Sequence, residues 1–226
     1  MGKTYHFMAT LGNGGYSEST YVWPGSSGHT TRHTTKYVQV AALLKMVEDI
    51  QKESKAYDDA LAEVKVSIFL TADARKTHWE ALKEEIEAIW QELSERYDFL
   101  WDFPEISDID IPDGNDEAEL NTIFETMFQT IRNGEKVYFD VTHGFRALPM
   151  LALAVINYAR PIKNIGIGAI TYGAFNRKHP EETSLLDLTY CSRIMEWTGA
   201  SEAFLAYEGS SRIGANSGIP WHGLDD

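Results

Sequence analysis

The chain has 226 residues, 43% of them hydrophobic, which suffices for one core of ordinary size, and it carries a formal net charge of −14. That charge argues against non-specific contact with duplex DNA, RNA or an anionic membrane, because such binding depends on basic patches that displace counterions. No segment has the pattern of a signal peptide or reaches the roughly 20 apolar residues needed to span a bilayer, so the expected location is the cytoplasm.

In chain order, Tyr5 to Leu11 reads as a strand, followed by the glycine-rich turn Leu11-Gly12-Asn13-Gly14-Gly15-Tyr16. Residues 16–35 are rich in Ser, Thr and aromatic side chains around Pro24-Gly25, which predicts a protruding β-hairpin inserted after the first strand. Within it, His29 and His33 lack a third ligand for a metal and are expected to face solvent. A helix from Lys36 to about Ser54 has Tyr37, Val40, Ala41, Leu44 and Val47 on one face, and Val64 to Leu70 is the next strand.

The loop Thr71 to Thr77 follows, with Thr71 placed to meet a ligand and Thr77 to cap a helix running to Tyr97. Ile106 to Ile111 is a short extended piece. Asp108, Asp110, Asp113, Asp116 and Glu117 lack calcium-loop spacing and read as a solvated edge leading into a helix over 117–132. Then come a strand from Lys136 to Val141, a helix from Phe145 to Ala159, a strand from Ile162 to Thr171 and a loop Tyr172-Gly173-Ala174-Phe175. That loop offers an aromatic face for stacking on a base, or packs at a sheet edge, Phe175 more than Tyr172.

A short strand from Ser184 to Leu188 precedes a last helix ending near Ala206, in which the single cysteine, Cys191, is expected to be small and buried. One cysteine also excludes an internal disulfide and a cysteine-cluster metal site. The alternation of strands and helices predicts an α/β fold, a mainly parallel sheet covered on both faces. The organisation expected is one ligand-sensing domain over 1–208 and a Gly/Ser-rich linker or poorly ordered tail over 209–226.

The segment with the most chemistry is Lys136-Val-Tyr-Phe-Asp-Val-Thr-His-Gly-Phe-Arg-Ala-Leu-Pro, where a strand delivers polar and turn residues to its carboxyl end and opens into an apolar helix. Gly144 allows close backbone approach, free amides lie at the helix start, and Thr142, His143 and Arg146 add donors, all of which suits an anion. The same residues also fit a plain structural turn in which Thr142 caps the helix and Arg146 pairs with Asp140. Gly12, Asn13 and Gly14 can admit a phosphate or adenosine close to the backbone. They depart from the dinucleotide fingerprint, since Ser17 stands where its third glycine would fall. Arg32, Arg75, Lys76, Arg146 and Arg177 recur near the loops and leave room for a small electropositive pocket on an acidic body.

Asp140-Val-Thr-His-Gly, with Phe145-Arg-Ala-Leu-Pro after it, resembles the Asp-x-Thr-His-Gly family of CRISPR-associated proteins. Leu11-Gly-Asn-Gly-Gly-Tyr, Thr34-Thr-Lys-Tyr-Val-Gln-Val-Ala, Phe69-Leu-Thr-Ala-Asp-Ala, Ile111-Pro-Asp-Gly-Asn, Tyr172-Gly-Ala-Phe and Leu186-Asp-Leu-Thr with Glu196-Trp197 look like that family's landmarks in the same order. The resemblance implies a CARF domain, Rossmann-like, forming a two-fold homodimer that binds cyclic oligoadenylate made in type III CRISPR antiviral defence.

It implies ligand contacts from Gly12, Asn13, Gly14, Tyr16, Thr71, Thr142, His143, Gly144, Arg146 and Tyr172, with cyclic tetra-adenylate the expected ring and no cofactor or metal. An even-membered ring presents equal halves to two identical pockets. The Arg-x4-6-His motif of the family's attached ribonuclease does not occur, which leaves an effector domain outside this chain or a stand-alone binder.

Two further functions stand beside the sensor. A ring nuclease would need only to align a ribose 2′-hydroxyl with the neighbouring phosphate, using His143, Thr142 or Asn13. A small-molecule enzyme on a generic Rossmann-like scaffold is the other.

Overall fold

The computed structural model describes residues 4–25, 29–57, 63–96, 104–144, 147–175 and 181–207. Two compact units are distinguished, Met1–Leu188 and Thr189–Asp226. The tail boundary expected at residue 208 falls outside the described residues.

The first unit is built on one eight-stranded sheet, in the order β3-β2-β8-β7-β6-β1-β4-β5. The strands are β1 (Thr4–Leu11), β2 (Ser19–Pro24), β3 (Thr30–Thr35), β4 (Glu63–Leu70), β5 (Glu105–Asp110), β6 (Lys136–Asp140), β7 (Gly166–Ala174) and β8 (Glu182–Asp187). From β5 to β7 every neighbouring pair is parallel, whereas β7–β8 and β2–β3 are antiparallel and β2 adds to β8 in parallel. This is the α/β architecture expected from the alternation of elements.

Strand periodicity divides the interior into two layers. Phe7, Ala9 and Leu11 of β1 pack with Val66, Ile68 and Leu70 of β4 beneath helices α1 (Val38–Tyr57) and α3 (Glu80–Arg96). Met8 and Phe69 point the other way, into a second cluster with Val137 and Phe139 under α4 (Glu117–Thr130) and α5 (Leu148–Lys163). Both faces of the central strands are therefore covered, as a parallel sheet requires.

Several expectations are corrected. The hairpin of β2 and β3 does not protrude: β2 pairs with β8, so the hairpin forms the last two strands of the main sheet. His33 accordingly faces a cavity of about 130 Å3 lined with Trp23, Glu48 and Glu92 rather than open solvent, and burial lowers its pKa. Helix α5 runs through Pro161 to Lys163 and is ended by Asn164 in the left-handed conformation (φ 51°), where a strand was expected from residue 162. Tertiary bonds hold that end: the Lys163 ammonium donates to the carbonyls of Phe128 (2.5 Å) and Ile131 (2.6 Å) at the close of α4.

Tyr172 to Ala174 belongs to β7, not to a loop, and Tyr172 and Phe175 are both exposed. In the second unit, α6 (Thr189–Tyr207) carries Cys191 as an exposed residue, against the expected buried one. Asp116 caps α4 by accepting from the Glu119 amide (2.8 Å), and Arg75 bridges to Asp108 and Asp110.

A buried polar group sits near the amino ends of the strands. Glu135 accepts from His6 Nδ1 (2.8 Å) and from the Arg132 amide (2.9 Å), and Lys65 Nζ lies 3.4 Å away. His6 Nε2 meets Ser67 Oγ at 2.9 Å, so a neutral ring donates to the carboxylate and accepts from the serine. This has the order of a Ser-His-Glu triad, but Ser67, His6 and Glu135 are 2% exposed or less, which excludes substrate and makes it structural.

Burial alone would raise the Glu135 pKa, yet these bonds hold it at about 2, and burial lowers that of His6. Glu135→Gln is expected to destabilise the fold by about 3 kcal/mol at pH 7 in urea unfolding, because it strands Lys65. The loss should shrink as pH falls from 4.5 toward 2, where the native carboxylate itself takes a proton.

Candidate ligand site at the carboxyl edge

Within the central parallel strands, β1 has β4 and β5 on one side and β6 and β7 on the other. The gap between the carboxyl ends of β1 and β6 is thus the point where strand order reverses, the place where open α/β sheets bind ligands. Two turns meet there. Thr10 Oγ1 donates to the His143 carbonyl, and a Cβ on Gly12 would lie 3.5 Å from the Gly144 amide and 3.8 Å from His143 Cβ.

The β6 turn is organised by Asp140, which is fully buried. Its Oδ1 accepts from the Thr142 amide (3.2 Å), and its Oδ2 accepts from the hydroxyls of Thr142 (2.9 Å) and Thr171 (3.0 Å). Thr142 Oγ1 in turn accepts from the Gly173 amide at 2.8 Å. Thr142 is therefore not a helix cap; the residue preceding α5 is Ala147, which makes no side-chain cap bond. Gly144 has φ 145°, and a Cβ there would come within 2.3 Å of Leu148 Cδ1, so only glycine fits the turn.

The β1 turn is held by Tyr16, whose hydroxyl accepts from the Gly12 amide (3.0 Å). Its ring stands 4.5 Å from that of His143, 4.7 Å from His78 and 5.0 Å from Tyr37, centroid to centroid. Burial raises the Tyr16 pKa, and it pushes His143 down to about 4, with His78 adding to the effect. His143 is a neutral ring at pH 7.

Of the residues singled out from sequence, Gly12, Asn13, Gly14, Tyr16, Thr142, His143 and Gly144 lie on these two adjoining turns. Thr71 follows β4 and caps the short helix α2 (Ala72–Ala74), accepting from the Ala74 amide at 3.4 Å. Thr77 does not cap; its hydroxyl donates to the Asp73 carbonyl. Tyr172 alternates in β7 to the face opposite Gly173, away from Thr142. Arg146 and Arg177 lie outside the described residues. Arg32 is paired with Glu182 and Arg75 with Asp108 and Asp110, so these two cations do not assemble an electropositive pocket. Among the described residues, no group of three His, Cys, Asp or Glu is placed to hold a metal ion, and no helix is long and apolar enough to cross a membrane.

Sequence reading missed Thr10, Gln39, His78 and Thr171. Gln39 is a buried polar residue in the apolar start of α1, donating to the Thr10 carbonyl at 2.7 Å, and that isolation among Val38, Val40 and Ala41 was its one signal.

The family model described as "CRISPR system endoribonuclease Csx1, CARF domain" matches residues 6–176, which contain both turns. The chain belongs to this CARF-domain family. Among curated proteins, the CRISPR-associated protein MJ1674 of Methanocaldococcus jannaschii is 26% identical over 92 residues, a match covering 40% of this chain and 14% of that protein.

Asp140 supplies a test of the turn. Burial pushes its carboxyl up to about 6, despite the hydrogen bonds from Thr142 and Thr171, from an ordinary value of 3.8. The native state thus holds the proton more tightly than the unfolded chain. Its contribution is complete below pH 3.8 and is lost as pH rises through 6. Asp140→Asn places an N–H against two hydroxyl donors and is expected to cost about 1–3 kcal/mol. Thermal melts of both proteins from pH 4.5 to 7.5 should show the difference between them narrowing as pH rises.

Proposed function

We propose that this chain is the sensor domain of a type III CRISPR defence protein, binding cyclic oligoadenylate across the β1 and β6 turns and passing the signal to an attached or partner effector. The observation that carries the reading is the meeting of Gly12 and His143-Gly144 at the strand-order reversal, within the segment that matches the CARF family. Backbone amides and neutral polar side chains, rather than the paired Arg32 and Arg75, would meet the phosphates. Cyclic tetra-adenylate is the ring expected, on a homodimer whose two-fold axis repeats each contact. Exposed Met150, Tyr158 and Ile162 on α5 support such an interface, since apolar side chains of one helix gain from a partner.

A neutral His143 with a pKa near 4 is a weak base at pH 7, which favours recognition over cleavage of the ligand. Thermal shift of the wild type and His143→Ala with cyclic tri-, tetra- and hexa-adenylate tests the reading. The tetra-adenylate should stabilise the wild type by about 2–3 kcal/mol at a hundred-fold excess over its dissociation constant, and the variant less. No shift with any ring would overturn it. Chromatography of the ligand after prolonged incubation should return it intact; linear product would establish a ring nuclease. Sedimentation should find a dimer, and Met150→Asp should weaken it.

A further inference from the structure

After β4, the chain makes one turn of α2 and then a five-residue π-turn, Arg75–Trp79, before α3 begins. Such wide turns rotate a residue out of the regular helical series and recur at functional sites. Here the residue so placed is His78. It is 8% exposed, and its Nε2 donates to the Gly14 carbonyl at 3.0 Å, 64 residues away in sequence. Its ring meets the Tyr16 ring edge-on at 4.7 Å (74° between planes) and lies 6.2 Å from Tyr37. Tyr16 then holds the Gly12 amide and packs against His143. One imidazole thus links the end of β4 to both turns of the candidate site. Nothing else described braces the tip of the β1 turn: Asn13 to Gly15 are exposed, and a Cβ at Gly14 or Gly15 would meet no atom within 4 Å.

We propose that His78 is a positioning residue of the ligand site, fixing the Gly12–Tyr16 turn through its hydrogen bond to Gly14 and its contact with Tyr16. The inference rests on the oligoadenylate reading for what the turn binds, but not for what holds the turn. Because Nε2 is the donor, Nδ1 is left as a buried acceptor without a partner. The ring is therefore held by its Nε2 bond to Gly14 and its contact with Tyr16, with no bond made at Nδ1.

Two variants separate the roles. His78→Phe keeps a ring against Tyr16 and loses the donor; His78→Gln can restore a donor to Gly14. Hydrogen exchange without ligand should show faster exchange over residues 9–18 in His78→Phe, unchanged exchange in the β1–β4 core, and near wild-type exchange in His78→Gln. Calorimetry with cyclic tetra-adenylate should show binding weakened about five- to ten-fold in His78→Phe and largely recovered in His78→Gln.

Unchanged exchange over 9–18 in His78→Phe, or a loss in both variants that tracks a general fall in melting temperature, overturns the positioning role. Wild-type protein that binds no oligoadenylate, together with the expected exchange result, overturns the ligand reading and leaves the role of His78 standing.

Discussion

The carboxyl group of Asp140 has no contact with water, so protein donors alone must satisfy it. They come from two places: Thr142, two residues on, and Thr171, on the neighbouring strand. Each is also committed elsewhere. Thr142 receives the Gly173 amide, and Thr171 lies opposite Asp140 in the β6–β7 pairing. Satisfying one buried carboxyl therefore sets the direction of the chain as it leaves β6, and with it the position of His143 and Gly144. A side chain that ties its own turn to the next strand makes the turn part of the sheet rather than a loop attached to it.

That rigidity matters because the site has little charge to work with. The chain is acidic, and Arg32 and Arg75 are spent on carboxylates. On the proposed oligoadenylate reading, attraction for the phosphates would come from oriented amides, which act best when the turns hold still before a ligand arrives. Thr10, reaching from β1 to the His143 carbonyl, and Tyr16, closing on the Gly12 amide, provide that order without a formal charge.

The sequence made the architecture legible wherever apolar periodicity decided it: β1, β4, β6 and helices α1, α3 and α4 lie close to where expected. It also singled out both turns, because glycines and short polar residues follow an apolar strand in each, although the same residues fit a plain structural turn. Three kinds of information were not local. The hairpin's place in the sheet depends on β8, about 160 residues downstream by its Thr20–Glu182 pairing. Helix α5 passes Pro161 because Lys163 is anchored to α4. His78 stood in a segment that reads as ordinary helix, and only the π-turn brings it to Gly14. Tyr172 was legible as an aromatic near a strand end but not as a residue facing away from Thr142, since a loop reading of 172–175 fixes no side-chain direction whereas membership of β7 does.

The seating of the hairpin beside β8 also decides what borders the sheet. Its two outermost strands are β3 and β5, whose exposed positions are Thr30, Arg32 and Thr34 on one and Glu105, Asp108 and Asp110 on the other. Charged side chains on an outer strand discourage a foreign strand from continuing the hydrogen-bonded ladder. The borders of the sheet are thereby poor templates for a further strand, so the ladder stops at β3 and β5.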